Sequence, residues 1–147
     1  WESGAILIYL SSPSVLFLPQ GPARRAETLQ WLMWQMGGFG PMAGQLGFFH
    51  KFAGRDYEDR RPFERYRDET KRLLGVLDRQ LVGCDFIMGS DYTIADMACW
   101  PWARNLNGFY EAGEVTDFAS HTNVVRWVDT CMSRPASQKA VNISSRD

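Results

Sequence analysis

The chain has 147 residues, enough for one domain with a real buried core, and its 16 Lys and Arg nearly balance 17 Asp and Glu. A net charge of −1 gives nothing that points to nucleic acid or an anionic membrane surface as a partner. No apolar run is long enough to cross a bilayer, and the first ten residues lack the basic leader and cleavage site of a secretory signal. A start on Trp rather than Met points to a fragment or a processed product.

Six tryptophans read as large core anchors. Cys84, Cys99 and Cys131 form no C-x-x-C pair and have no histidine at zinc-like spacing. No metal site is expected, and isolated reduced thiols fit a cytoplasmic protein. A redox role for Cys84, which precedes an acid in an expected loop, is the lesser reading. His50 and His121 read as surface or capping groups rather than a catalytic pair.

In chain order, Ser3 to Leu10 reads as a short apolar helix ending near Ser11-Ser12-Pro13. Ser3 suits its cap, whose free N–H groups and positive dipole end favour an anion, while Glu2 attracts an ammonium. The pair fits a ligand carrying both charges, such as an α-amino acid head group. Equally, Ser3 is a plain cap and Glu2 a first-turn acid.

A long helix is expected from Ala23, apolar at Leu29, Leu32, Met33 and Met36 and widened by Trp31 and Trp34. Gly37-Gly38-Phe39-Gly40-Pro41 predicts a kink or break, with helix resuming from Met42 to about Phe52. Residues 54–61 read as a loop. Pro62 then sits in the first turn of a helix running to about Val82, apolar at Tyr66, Leu73, Leu74, Leu77 and Leu81. Its many charges read as a solvated face with i,i+4 pairs.

Thr93-Ile94-Ala95-Asp96 has the spacing of a capping box, with Tyr92 and Met97 at the flanking staple positions. That gives Asp96 a structural rather than a catalytic role. The helix it opens is rich in Ala, Met and Trp, with a kink expected at Pro101. A last helix is expected from about Asn123 to Ser133, closed by Arg134-Pro135, with a loose tail after Lys139. No stretch alternates at period two. The fold class is all-α.

Several segments in register resemble the glutathione S-transferase family. Glu2-Ser3-Gly4-Ala5-Ile6 is similar to the end of its thioredoxin-like domain, Ser90 to Asp96 to the capping box and staple of its helical domain, and Arg134-Pro135-Ala136 to the close of its last core helix. The run from Leu29 to Gln45, with Glu64-Arg65-Tyr66 and Ala98-Cys99-Trp100-Pro101-Trp102, is similar to the bacterial Nu-class branch and the related fungal prion-type proteins.

The resemblance implies that residues 1–20 are the third helix of a thioredoxin-like domain plus a linker, and that 21–147 are the C-terminal helical domain. It implies glutathione as co-substrate, with Glu2 and Ser3 on its γ-glutamyl head group and Arg65 on a carboxylate. Phe39, Met42, Gln45 and Phe49 are candidates for the second-substrate wall, against the alternative that they are core. Where the branch often carries polar or histidine residues after Gly-Gln, this chain has Leu46, Gly47, Phe48 and Phe49. That makes the wall more apolar.

No residue here matches the family's thiol activator, so the catalytic residue is expected upstream of Trp1 and the fragment alone is expected to be inactive. In the intact protein the implied chemistry is attack of a glutathione thiolate on an electrophile or a disulfide. A homodimer is implied as well, with Trp31 and Trp34 facing either the subunit interface or the core. The alternative is a non-catalytic module of the same fold kept for protein association.

Overall fold

The computed structural model describes residues 1–13 and 16–143, and these form an all-helical bundle with no sheet among them. Seven α-helices follow in order: α1 (Ser3–Ser11), α2 (Pro22–Trp34), α3 (Gly40–Lys51), α4 (Arg61–Gln80), α5 (Ile94–Asn107), α6 (Thr122–Ser133) and α7 (Pro135–Ile143).

The expected break at the glycines does not occur. Gln35–Phe39 is a π-helical segment that carries α2 directly into α3. The Gly40 N–H donates five residues back to the Gln35 carbonyl, and Pro41 falls in the first turn of α3, where no intrahelical donor is required. The extra residue in the turn accommodates the proline without an intervening loop.

Two further expectations are revised. Pro135 ends α6 but also opens α7, because its fixed φ suits a first helical position. The helix runs through Lys139 to Ile143, while 144–147 of the expected loose tail lie outside the described residues. Ala53–Asp56, which overlaps the start of the expected loop, forms a short 3-10 turn.

Helix α5 is the axis of the bundle, with Ile94, Ala95, Asp96, Ala98, Cys99, Trp100, Ala103 and Leu106 all buried. The main core gathers Leu73, Leu74 and Leu77 of α4, Phe39, Ala43 and Leu46 of the π segment and α3, and Val124, Trp127 and Cys131 of α6 around it. A smaller core of Leu18, Leu32, Ile94 and Ala98 seats α1 and the linker. Of the tryptophans, Trp31, Trp100 and Trp127 are buried and Trp1 is exposed.

The start of α5 has the reciprocal geometry of a capping box. Thr93 Oγ1 accepts from the Ala95 N–H at 3.3 Å, and Asp96 Oδ2 accepts from the Thr93 N–H at 2.9 Å. Asp96 also takes the Ile87 N–H and the Trp127 indole N–H, each at 2.9 Å. Burial pushes its carboxyl above the ordinary range, against the pull of these bonds and one from the Thr93 hydroxyl. At α6, a carboxylate from another helix does the capping: Asp78 Oδ1 accepts from the N–H groups of Asn123 and Val124.

Candidate functional site

A cleft of about 730 Å³ opens between the π segment and α4. Gly37, Gly38 and Met42 form one wall, and Arg65, Asp68, Glu69 and Arg72 the other. The four charged positions follow an i, i+3, i+4, i+7 pattern, so α4 turns one charged face to the cleft. Sequence reasoning took that face for plain solvation, although the spacing itself carried the signal.

The charges are not equivalent. Glu69 accepts from Arg72 Nη2 at 2.7 Å and Nε at 2.8 Å, and Asp68 accepts from Arg67 Nε at 2.8 Å. These bonds hold both carboxyls below their usual range, with the nearby Arg65 charge adding to the effect on Glu69. The Arg65 guanidinium itself has no hydrogen-bond or ion-pair partner among the described residues. It is the cleft's available cation, and its planar fork suits a carboxylate.

The opposite wall is bare backbone. A Cβ on Gly37 or Gly38 would meet nothing within 4 Å. Glycine costs roughly 0.5–1 kcal/mol against alanine inside a helix, so nothing within this chain explains two glycines here. Gly40 differs: its missing Cβ is where the Gln35 side-chain amide and the Trp102 ring pack.

The residues expected to line a second-substrate wall divide. Met42 lines the cleft. Gln45 is exposed on α3. Phe49 is half-buried and stacks on Tyr66 with ring centroids 5.5 Å apart. Phe39 is a correction: it is fully buried and stacks on Trp34, because the π segment rolls it into the core rather than onto the cleft.

At the chain start, Ser3 is the first helical residue of α1 and Glu2 holds the cap position, so the expectation that Ser3 caps the helix is also corrected. Glu2 has φ 68 and ψ 106, a backbone that non-glycine residues seldom adopt. No side chain caps the N–H groups of the first turn. The Ser3 hydroxyl lies 3.8 Å from Met36 Sδ, one residue before the glycine wall. Glu2 and Ser3 do not line the cleft.

Other reactive groups are occupied. Burial raises the thiols of Cys99 and Cys131, which removes them as thiolate nucleophiles, while Cys84 is half-exposed. His50 Nε2 is 3.1 Å from the Glu111 carbonyl oxygen, and its ring stacks on Phe63. No group of three His, Cys, Asp or Glu among the described residues is placed to hold a metal.

Residues 39–135 match the model of the glutathione S-transferase C-terminal domain. The chain belongs to the glutathione S-transferase family. It is 43% identical over 141 residues to the disulfide-bond oxidoreductase YghU of Escherichia coli and 42% identical over 143 residues to YfcG of the same organism. These alignments cover 95% and 96% of this chain but 48% and 62% of the relatives, so the chain spans about half to three-fifths of their length.

Among solved structures, a glutathione transferase family member from Pseudomonas fluorescens with two glutathiones bound is 58% identical, with a TM-score of 0.94. One from Pseudomonas putida with a glutathione disulfide bound per subunit is 52% identical, also at 0.94. They are matched over 96% and 97% of this chain and 62% of each of those chains.

Proposed function

We propose that this chain is the helical half of a glutathione-dependent enzyme that reduces disulfides or conjugates electrophiles. The unpaired Arg65 guanidinium facing the bare Gly37–Gly38 wall carries the reading, because it offers a carboxylate fork beside a surface on which a peptide can lie close. In the proposed reaction a glutathione thiolate attacks one sulfur of the substrate disulfide. A new S–S bond forms as the old one breaks, and the leaving thiolate takes a proton from solvent.

Glu2 and Ser3 hold the head group in this reading: the uncapped first turn of α1 takes the α-carboxylate and Glu2 the ammonium. Met42, Gln45 and Phe49 face the second substrate. The thiol-activating residue belongs to a thioredoxin-like half, of which residues 1–20 are the last helix and linker. The outward side of α1, with Ile6, Tyr9 and Leu10 exposed, is the apolar surface that such a half would cover. We assign the protein to the cytoplasm as a homodimer; the unpaired cysteines support the compartment.

The test uses the full-length protein. Binding to immobilised glutathione together with reduction of a glutathione mixed disulfide is the expected result. Binding without turnover would favour an association module instead, and failure of both would end the glutathione reading. Arg65→Ala is expected to weaken glutathione about tenfold or more, the loss of one charge-assisted hydrogen-bond pair, with an unchanged Tm.

A further inference from the structure

A groove runs between α6, the end of α5 and the loop that joins them, and it shares no lining residue with the Arg65 cleft. It is made of two cavities of about 340 and 510 Å³ that have Asn107, Phe118 and Val125 in common. Arg104 of α5 and Asp129 of α6 both line the smaller cavity, together with Val128 and Met132. The groove thus sets one cation and one anion beside an apolar floor.

These two charges are not spent on each other or on anything else. Neither side chain has a hydrogen-bond or ion-pair partner among the described residues. Arg126, three residues before Asp129 on α6, has the spacing of a partner. Its Nη2 instead bonds the carbonyls of Leu81 and Cys84 at 3.0 and 2.6 Å. No acid stands three or four residues from Arg104 on α5. Of the acids in the connecting loop, Asp117 is paired with Lys71 at 2.5 Å, while Glu114 lines the larger cavity without a partner among the described residues.

The loop wall is pinned. The Ala112 N–H donates to the Leu106 carbonyl at 2.8 Å, the Phe118 N–H to the Gly113 carbonyl at 2.9 Å, and the Thr116 hydroxyl to the Ala112 carbonyl at 2.7 Å. Asp117 has φ 51 and ψ 37, a left-handed turn one residue before Phe118, whose side chain is buried in the groove floor. A Cβ on Gly113 would collide with the Asn107 side-chain oxygen, so the glycine lets that amide lie against the loop, where it lines both cavities.

We infer that this groove binds a small zwitterion with an apolar side chain, an α-amino acid, with its carboxylate on Arg104, its ammonium on Asp129 and its side chain against Phe118 and Val125. A guanidinium fork suits the carboxylate, and charge-assisted bonds of both signs fix the ligand's orientation. With Glu114 included, two unpaired acids flank one guanidinium, so the groove disfavours a ligand of net negative charge. The apolar floor favours a large side chain over none.

The probe is L-phenylalanine, titrated into the full-length protein and followed by ligand-observed NMR. N-acetyl-L-phenylalanine, L-phenylalaninamide and glycine are controls that lack the free ammonium, the carboxylate and the side chain. Phenylalanine is expected to bind about tenfold tighter than each control, or better. Saturating glutathione is expected to leave its Kd within about twofold. Arg104→Gln is expected to weaken phenylalanine about tenfold and to leave phenylalaninamide within about twofold. Asp129→Asn is expected to weaken phenylalanine by a similar factor and to leave N-acetyl-phenylalanine unchanged. If Arg104→Gln does not fold, Asp129→Asn, at an exposed position on α6, carries the test. Absence of saturable binding, a control that binds as well as phenylalanine, displacement by glutathione, or binding indifferent to both variants would each overturn the assignment.

Discussion

Trp127 donates its indole N–H to Asp96 Oδ1 at 2.9 Å, joining the middle of α6 to the first turn of α5 with both side chains fully buried. The same oxygen takes the Ile87 N–H, so one carboxylate ties two helices and the turn before α5. Thr93 engages the other oxygen. The cap of α5 is thus the junction of the main core rather than a local end.

Asp96→Ala would leave the N–H groups of Trp127, Ile87 and Thr93 buried without acceptors. Each such group costs about 1–3 kcal/mol, so the total loss is expected to reach about 3 kcal/mol or more, beyond the roughly 1 kcal/mol of an ordinary cap. Urea denaturation of Asp96→Ala, Trp127→Phe and the double variant checks this. The double variant should lose less than the sum of the singles, because both remove one shared hydrogen bond. Strict additivity would mean that the bond contributes nothing.

The glycines of the π segment divide by what surrounds them. Gly37→Ala and Gly38→Ala are expected to leave stability unchanged or raise it by about 0.5–1 kcal/mol, since each new methyl meets open space. Gly40→Ala is expected to cost about 1–3 kcal/mol, because its methyl would collide with the Gln35 amide and crowd Trp102. Thermal melts of the three variants read this directly. In the full-length protein, the two stabilised variants are also expected to bind glutathione more weakly; undiminished binding would place the ligand away from this wall.

These cases show which features were legible in the sequence. Thr93 and Asp96 stand three residues apart, and a capping box is local, so spacing sufficed to read it. The all-α class followed from periodicity for the same reason. The Gly-Gly-Phe-Gly-Pro run suggested a kink or break because glycine and proline weaken an α-helix, whereas a π turn shifts the hydrogen bonds by one residue and keeps the helix continuous. The same shift put Phe39 in the core. Pro135 was read only as a terminator, and α7 was lost with it. For the cleft, Arg65 was found through family likeness. Its neighbours Asp68, Glu69 and Arg72 needed the opposite wall to be seen as more than surface charge.

Gly47 gives a prediction about the far end of α3. A Cβ there would meet the face of the Tyr110 ring at 2.5 Å. Tyr110 is in the loop after α5, which is tied back to α3 by Lys51 Nζ bonding the Phe109 carbonyl at 2.7 Å and Glu111 at 2.6 Å. Gly47→Ala is therefore expected to loosen the loop and lower stability by about 1–3 kcal/mol. Hydrogen exchange should show the change at the Ala112 amide, which bonds the Leu106 carbonyl at 2.8 Å. Unchanged protection there would show that the ring yields without cost.

The Lys51–Glu111 pair sets the pH behaviour of that loop. The hydrogen bond from Lys51 holds the Glu111 carboxyl below its usual range, with the lysine charge adding to it. A carboxyl whose pKa is lower in the folded chain than in the unfolded one stabilises the fold fully above its unfolded value. That contribution is lost as pH falls through the folded value. Glu111 is exposed and Lys51 partly so, so the effect is local and screened by salt rather than a large share of global stability. In an NMR titration the Glu111 side-chain carbonyl is expected to move at lower pH than an ordinary glutamate, and Lys51→Met is expected to return it to the ordinary range. Protection of the Ala112 amide should fall over the same interval in the parent chain, and lie at the lower level throughout in Lys51→Met. A Glu111 titration indifferent to Lys51 would show that the loop is held by the Phe109 carbonyl bond and the Phe52–Phe109 ring contact instead.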